Sequence, residues 1–255
     1  MHDDVKIYGF SGSHPCEAVY AAARHKGIDF QKAEVPPALH RIMMRVMFGG
    51  TRVPAAVING HKVQGTSMIF LALDNVRTEK PLYPADPEER EFVVAAERWG
   101  EGDFQDIGRR LVWAHLSRSP ETVRAWVHGS LPPGPARDFK VFVAPFMAQI
   151  AKFANKATDE QVQKDINHLP VLLDRVDELI EQGVIGATEP NAADFQLLSS
   201  VGMWSNMQAL RPAIIERPCG LAAMRLFPRY TGAVPAGLLP EAWFSALNTG
   251  VSAPA

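Results

Sequence analysis

Cysteine is almost missing from this chain: its 255 residues include two, Cys16 and Cys219, far apart in sequence. That count excludes a disulfide-stapled scaffold and suits a reducing, cytoplasmic setting. Histidine is sparse as well. None of the eight falls in an H-x-x-x-H or H-x-H spacing, and no C-x-x-C occurs, so no metal site is expected. Charge of one sign is scarce too, with a formal net charge of −2 and no long like-charged run. A basic footprint for nucleic acid and a polybasic membrane patch are thereby excluded. Long apolar runs are lacking. The longest, Val141 to Ala151, is interrupted by Pro145 and Gln149 and flanked by Lys140 and Lys152. It falls well short of the ~20 residues that span a bilayer. The opening MHDDVKIYGF carries acids where a secretory signal would be basic. Gly100-x-Gly102 has neither a third glycine nor a preceding strand, which removes a dinucleotide fingerprint.

What remains is the balance of a globular protein, 47% hydrophobic and 21% charged, in a chain long enough for two domains. Up to Leu82 the pattern alternates. Strands are expected at Val5–Tyr8, Asp29–Val35, Ala55–Ile58 and His61–Gln64, the last two joined by the hairpin signal Asn59-Gly60. Helices are expected at Cys16–Lys26, Ala38–Phe48 and Thr66 to about Thr78, giving a βαβαββα order. Three prolines in Pro81–Pro87 forbid regular helix and read as a linker. Beyond it the pattern is helical: Glu88–Arg118, Pro120–Val127, Ala136–Ala154, Asp159–Gln182, Ala192–Leu210 and Pro240–Leu247. The expected division is 1–80 for an α/β domain, 81–87 for the linker and 88–255 for an all-helical domain. Asn191-Ala192-Ala193-Asp194 reads as a helix cap with a reciprocating acid.

Chemistry concentrates in Ser11-Gly12-Ser13-His14-Pro15-Cys16, between the first strand and first helix. A thiol in the first turn of a helix has a lowered pKa, which makes Cys16 a candidate nucleophile; a buried small residue is its other reading. His14 reads as a solvated loop residue, and Tyr8, alternating within a strand, as packing. Arg52-Val53-Pro54 stands before a strand, and Thr66-Ser67 opens a helix, where free N–H groups favour an anion.

In order and spacing, Ser13-His14-Pro15-Cys16, Arg52-Val53-Pro54 and Gly65-Thr66-Ser67-Met68-Ile69 resemble a thioredoxin-fold glutathione-binding domain. With the proline linker, the helical second domain and the Asn191 cap, the whole chain resembles a cytosolic glutathione S-transferase. The resemblance implies that Ser13 activates the thiol of glutathione. It implies a cis-proline at Pro54, with the Val53 backbone pairing the cysteinyl backbone as an added strand does. It implies also that Thr66-Ser67 holds the γ-glutamyl carboxylate, although the family has Glu or Gln where Thr66 stands. Around the glycine carboxylate it places His40, Arg41 and Arg52, and in the electrophile pocket Phe10, Trp99, Phe104 and Trp113. Glutathione, or another low-molecular-weight thiol, would be a co-substrate alongside a hydrophobic electrophile, with no tightly bound cofactor. A homodimer is implied, with Met68, Leu71, Ala72 and Asn75 on one face of the third helix. Cys16 occupies the place of the second cysteine in a C-x-x-C pair. Three readings stay open on sequence alone: a serine-type transferase, a thiol- or ligand-binding protein without turnover, and a Cys16-dependent reductase.

Overall fold

In β1 (Val5–Gly9) Val5, Ile7 and Gly9 are buried and Lys6 and Tyr8 less so, the alternation a sheet with unequal faces imposes. The computed structural model describes residues 3–35, 40–130, 133–230 and 232–248. After β1 come α1 (His14–His25), β2 (Gln31–Glu34), α2 (His40–Phe48), β3 (Ala55–Ile58), β4 (His61–Gln64) and α3 (Thr66–Val76). This is the expected thioredoxin-like βαβαββα order; positions 38 and 39 of the expected second helix lie outside the described residues. The sheet order is β2-β1-β3-β4, with β1 and β2 parallel and the other pairs antiparallel. Asn59 (φ 49°) and Gly60 (φ 85°) both turn left-handed, as a two-residue hairpin of primed type needs.

Tyr8 meets Phe48 of α2 edge-on at 5.2 Å and packs with Val35, Met44 and Ala55, the packing role expected of it. Past α3 the chain is tied down rather than loose. Lys26 Nζ, buried at the end of α1, donates to Asp74 Oδ1 at 2.6 Å and to the carbonyls of Glu79 and Lys80 at 3.1 and 3.0 Å. Asp74 also accepts from the Leu82 N–H at 3.0 Å. A buried charge is tolerable only with partners of this kind.

The helices that follow are α4 (Pro87–Trp99), α5 (Gln105–Leu116), α6 (Pro120–Ser130), α7 (Pro135–Ala154), α8 (Asp159–Glu181), α9 (Ala192–Ser205), α10 (Pro218–Leu226) and α11 (Ser245–Asn248). The single helix expected from Glu88 to Arg118 is broken by a wide turn at Gly100–Phe104, in which Gly102 leaves helical geometry (φ −84°, ψ −121°). Gly100 answers a different need. A Cβ there would lie 2.8 Å from Leu197 Cδ2 and 2.9 Å from Gln196 Cγ, so any side chain would force these buried neighbours to shift.

The chain divides into two compact units, residues 1–101 with 182–199 and residues 102–181 with 200–255. The first therefore runs past the proline segment at 81–87. The physical reason is local: Leu82 and Tyr83 are buried, and the Tyr83 hydroxyl donates to Glu97 Oε1 at 2.9 Å. In the second unit Arg110 grips Asp165 with two bonds of 2.6 and 2.9 Å. Arg217 pairs with Asp174 and Asp177.

Candidate functional site

Strand register brings the predicted site residues to one end of the sheet. Tyr8 pairs with Ala55, so the segment leaving β1, Phe10 to Ser13, emerges beside the segment entering β3, Arg52 to Pro54. Ala55 pairs in turn with Gln64, so Gly65-Thr66-Ser67 leaves from that same end. Gly9 pairs with Glu34, which directs the chain toward α2, where His40 and Arg41 lie, from there too. Gln64 Nε2 donates to the Arg52 carbonyl at 2.7 Å, and the Gly65 N–H to the Pro54 carbonyl at 3.0 Å. The Val53–Pro54 bond is cis.

Ser13 is the N-cap of α1, in extended geometry (φ −76°, ψ 114°), and its side chain does not cap the helix. The N–H groups of the first turn, of which Pro15 has none, are thus not engaged by a Ser13 side-chain cap. Ser13 is partly exposed, while its hydroxyl is hydrogen-bonded to the Cys16 sulfur.

Cys16 is fully buried, and burial pushes its thiol up to about 12 despite the opposing hydrogen bonds from Ser13 and Phe10. The lowered pKa on which its nucleophilic reading depended is absent, because desolvation outweighs the helix end. Gly9 completes this packing. A Cβ there would stand 2.6 Å from Cys16 Sγ and 2.8 Å from the Tyr20 hydroxyl. His14, expected in solvent, is instead the buried first residue of α1, because the helix starts two positions earlier than Cys16, with Pro15 in its first turn.

At α3, Thr66 is buried and Ser67 partly exposed. Ser67 Oγ donates to Glu101 Oε2 at 3.2 Å. Glu97, one helical turn back, accepts from Tyr83 and lies near the Ser67 hydroxyl; burial is the largest influence on its carboxyl and raises its pKa. Two acids thus stand beside a helix N-terminus. Sequence reasoning missed both, because they lie far along the chain within a stretch that reads as an ordinary charged helix face.

Arg41 and Arg52 are exposed, and His40 stacks edge-on against the partly buried Phe10 at 6.0 Å. Trp99 and Trp113 are partly buried. Phe104 is completely buried in the second unit, with its ring 4.8 Å from that of Trp204 in the core. Among the described residues no group of three His, Cys, Asp or Glu could hold a metal ion, and no helix is long and apolar enough to cross a membrane.

Residues 7–81 match the glutathione S-transferase N-terminal domain family. No curated protein matches the chain by sequence. Among solved structures, the chain is similar to a glutathione S-transferase from Rhodospirillum rubrum F11, with TM-score 0.58 and 14% identity over 98% of this chain and 94% of that one. It is similar to the beta-etherase LigF from Sphingobium sp. strain SYK-6, with TM-score 0.55 and 21% identity over 90% and 96%. It is similar also to a theta class glutathione S-transferase from Xanthomonas axonopodis pv. citri with glutathione bound, with TM-score 0.52 and 20% identity over 87% and 95%. Residues 7–81 thus match a glutathione S-transferase N-terminal domain, and the chain shares the fold of solved glutathione S-transferases.

Proposed function

We propose that the protein is a serine-type glutathione transferase, in which Ser13 holds the thiol of glutathione as a thiolate for attack on a hydrophobic electrophile. The observation that carries this reading is Ser13 itself: a partly exposed hydroxyl at the uncapped N-terminus of α1, at the sheet end shared with Val53–Pro54 and Thr66–Ser67. An ordinary thiol of pKa about 8.5 is only about 3% thiolate at pH 7. Lowering that pKa by about 2 requires ~2.7 kcal/mol. A hydroxyl donating to a charged sulfur supplies ~1.5–3 kcal/mol, and a helix end ~0.3–1 kcal/mol more. Together they are sufficient.

Cys16 then has a positioning role. A hydroxyl has one proton to donate and two lone pairs to accept with. In the free protein the Ser13 hydroxyl donates to the Cys16 sulfur; when a thiolate binds, that proton turns to the charged acceptor, and the Cys16 S–H, kept protonated up to about 12, donates to Ser13 Oγ in its place. The burial of Cys16 disfavours a reductase cycle, which needs an accessible thiolate.

The other end of glutathione is a zwitterion, and the chain offers a matching pair of charges. The N-terminus of α3 and Ser67 take its carboxylate, Glu101 its ammonium. Glu101 would so supply the acid that Thr66 cannot. Val53 pairs the cysteinyl backbone, and Arg41, Arg52 and His40 serve the glycine carboxylate.

Calorimetric titration with glutathione tests the reading, followed by an electrophile panel. Binding lost in Glu101→Ala and conjugation lost in Ser13→Ala are expected. Binding without turnover on any electrophile would favour a carrier of the same fold, and no binding would remove the proposal.

A further inference from the structure

Helix α7 exposes an apolar stripe that the transferase chemistry does not use. Phe139 is 65% exposed, Phe142 76%, Phe146 68%, Ile150 44% and Phe153 85%, whereas Ala144 and Ala148 on the opposite face are buried. Four phenylalanines in solvent on one helix exceed the scattered exposure that single apolar residues show.

Their spacing is self-complementary. Phe142 and Ile150 lie four residues either side of Phe146, and Phe139 and Phe153 seven either side. Such three-and-four spacing forms one seam on a helix. Two identical helices laid antiparallel about Phe146 place Phe139 against Phe153, Phe142 against Ile150 and Phe146 against itself. The area suffices. A large aromatic side chain buries ~150–250 Å², so the stripe offers about 600 Å² per chain at these exposures. Two copies would cover about 1,200 Å², the lower bound for specific interfaces. The charges agree in part: the same register puts Asp138, itself 3.4 Å from Arg137, opposite Ala154, two positions from Lys152 of the other helix. Lys140 comes opposite Lys152, whose charge is shared with Asp159 at 3.4 Å.

We propose that α7 is a self-association surface on which a second copy of this chain packs antiparallel, about a twofold axis at Phe146. This face is distinct from that of Met68 and Leu71 on α3, which is exposed as well.

The register makes the test specific. Both native cysteines are buried, so a new thiol on α7 reports alone. Full-length Phe146→Cys should form a disulfide-linked dimer under mild oxidation, because position 146 faces its own symmetry mate. Phe142→Cys should link to Ile150→Cys when the two variants are mixed, and to itself far less. In sedimentation, Phe146→Asp should lower the particle mass with an unchanged far-ultraviolet spectrum, and Met68→Asp should leave the Phe146→Cys link intact. A monomeric wild type, a mass unaltered in Phe146→Asp, or equal linking at every α7 position would overturn the proposal. So would binding of the wild type to phosphatidylglycerol vesicles that Phe146→Asp abolishes, since a lipid surface would then be the occupant.

Discussion

Ser13 and Cys16 stand three residues apart on one turn and differ chiefly in water. The serine keeps some, and the cysteine has none. Ser13→Ala is therefore expected to raise the pKa of a bound thiol by up to about 2 pH units. Conjugation should fall near pH 7 and partly recover by pH 9, where the thiol ionises unaided; rates measured across that range check this. Cys16→Ala should stay within about twofold, having lost a weak S–H donor. His115 shows burial acting on a base. Its Nδ1 faces the Leu111 carbonyl at 2.7 Å, Nε2 is buried without a partner, and burial pulls its pKa down from 6.5 to about 4. Above pH 6.5 neither folded nor unfolded chain protonates it; between 6.5 and about 4 only the unfolded chain does. Stability is then lost as pH falls through that window, by about 3 kcal/mol in all. Urea denaturation at pH 7 and pH 4.5 should show a smaller difference for His115→Gln than for the wild type. The place of Ser13 at a strand-to-helix junction was legible in the sequence, since a short alternating strand and a helical run flank it. The burial of Cys16 was not, since it depends on Gly9 and Tyr20 closing over it.

At the scale of elements, local signals were read well where they were strong. Asn191 and Asp194 form the reciprocal cap their spacing announces: Asn191 Oδ1 accepts from the N–H groups of Ala193 and Asp194 at 2.9 and 3.2 Å, and Asp194 Oδ2 from Asn191 N–H at 2.9 Å. Asp194 Oδ1 also accepts from the Gly186 N–H at 2.7 Å, a tertiary bond that no cap rule contains. Asp194→Ala should thus cost about 2–3 kcal/mol, at or above the top of the ~0.5–2 of a plain cap, because the N–H groups of both Gly186 and Asn191 lose their charged acceptor. Chemical denaturation measures it. Weak signals misled. The break at Gly102 was hidden within continuous helical periodicity, and α10, nine residues opened by Pro218, was too short to stand out. Ala192–Leu210 was read as one helix, but α9 stops at Ser205. Glu97 and Glu101 became visible only when folding set them beside Ser67.

For the molecule as a whole, both thiols are shielded. Burial raises Cys219 as it does Cys16, and Asp177 adds to the effect. A thiol-specific reagent at pH 8 should label neither cysteine in the folded protein and both in denaturant; rapid native labelling of one would show that its region opens. The first unit also draws on two separate stretches of chain. Phe195 in α9 lies 6.1 Å from Phe70 and 5.8 Å from His25, and the Ala192 N–H donates to the Leu82 carbonyl at 2.8 Å. A fragment ending at residue 101 should accordingly lose cooperative thermal unfolding, which calorimetry would register.

That return of the chain has a consequence for how the protein is made. A ribosome delivers residues in order, and the sheet end that carries Ser13, Val53–Pro54 and Thr66–Ser67 is encoded within the first 67 of them. The wall that Phe195 and its neighbours supply arrives only after the whole of α8 has been translated. Until then the nascent chain holds Phe70 and the end of α1 without their final cover. The interval is one in which chaperones would find it, and synonymous codons that slow translation between positions 102 and 182 would lengthen it.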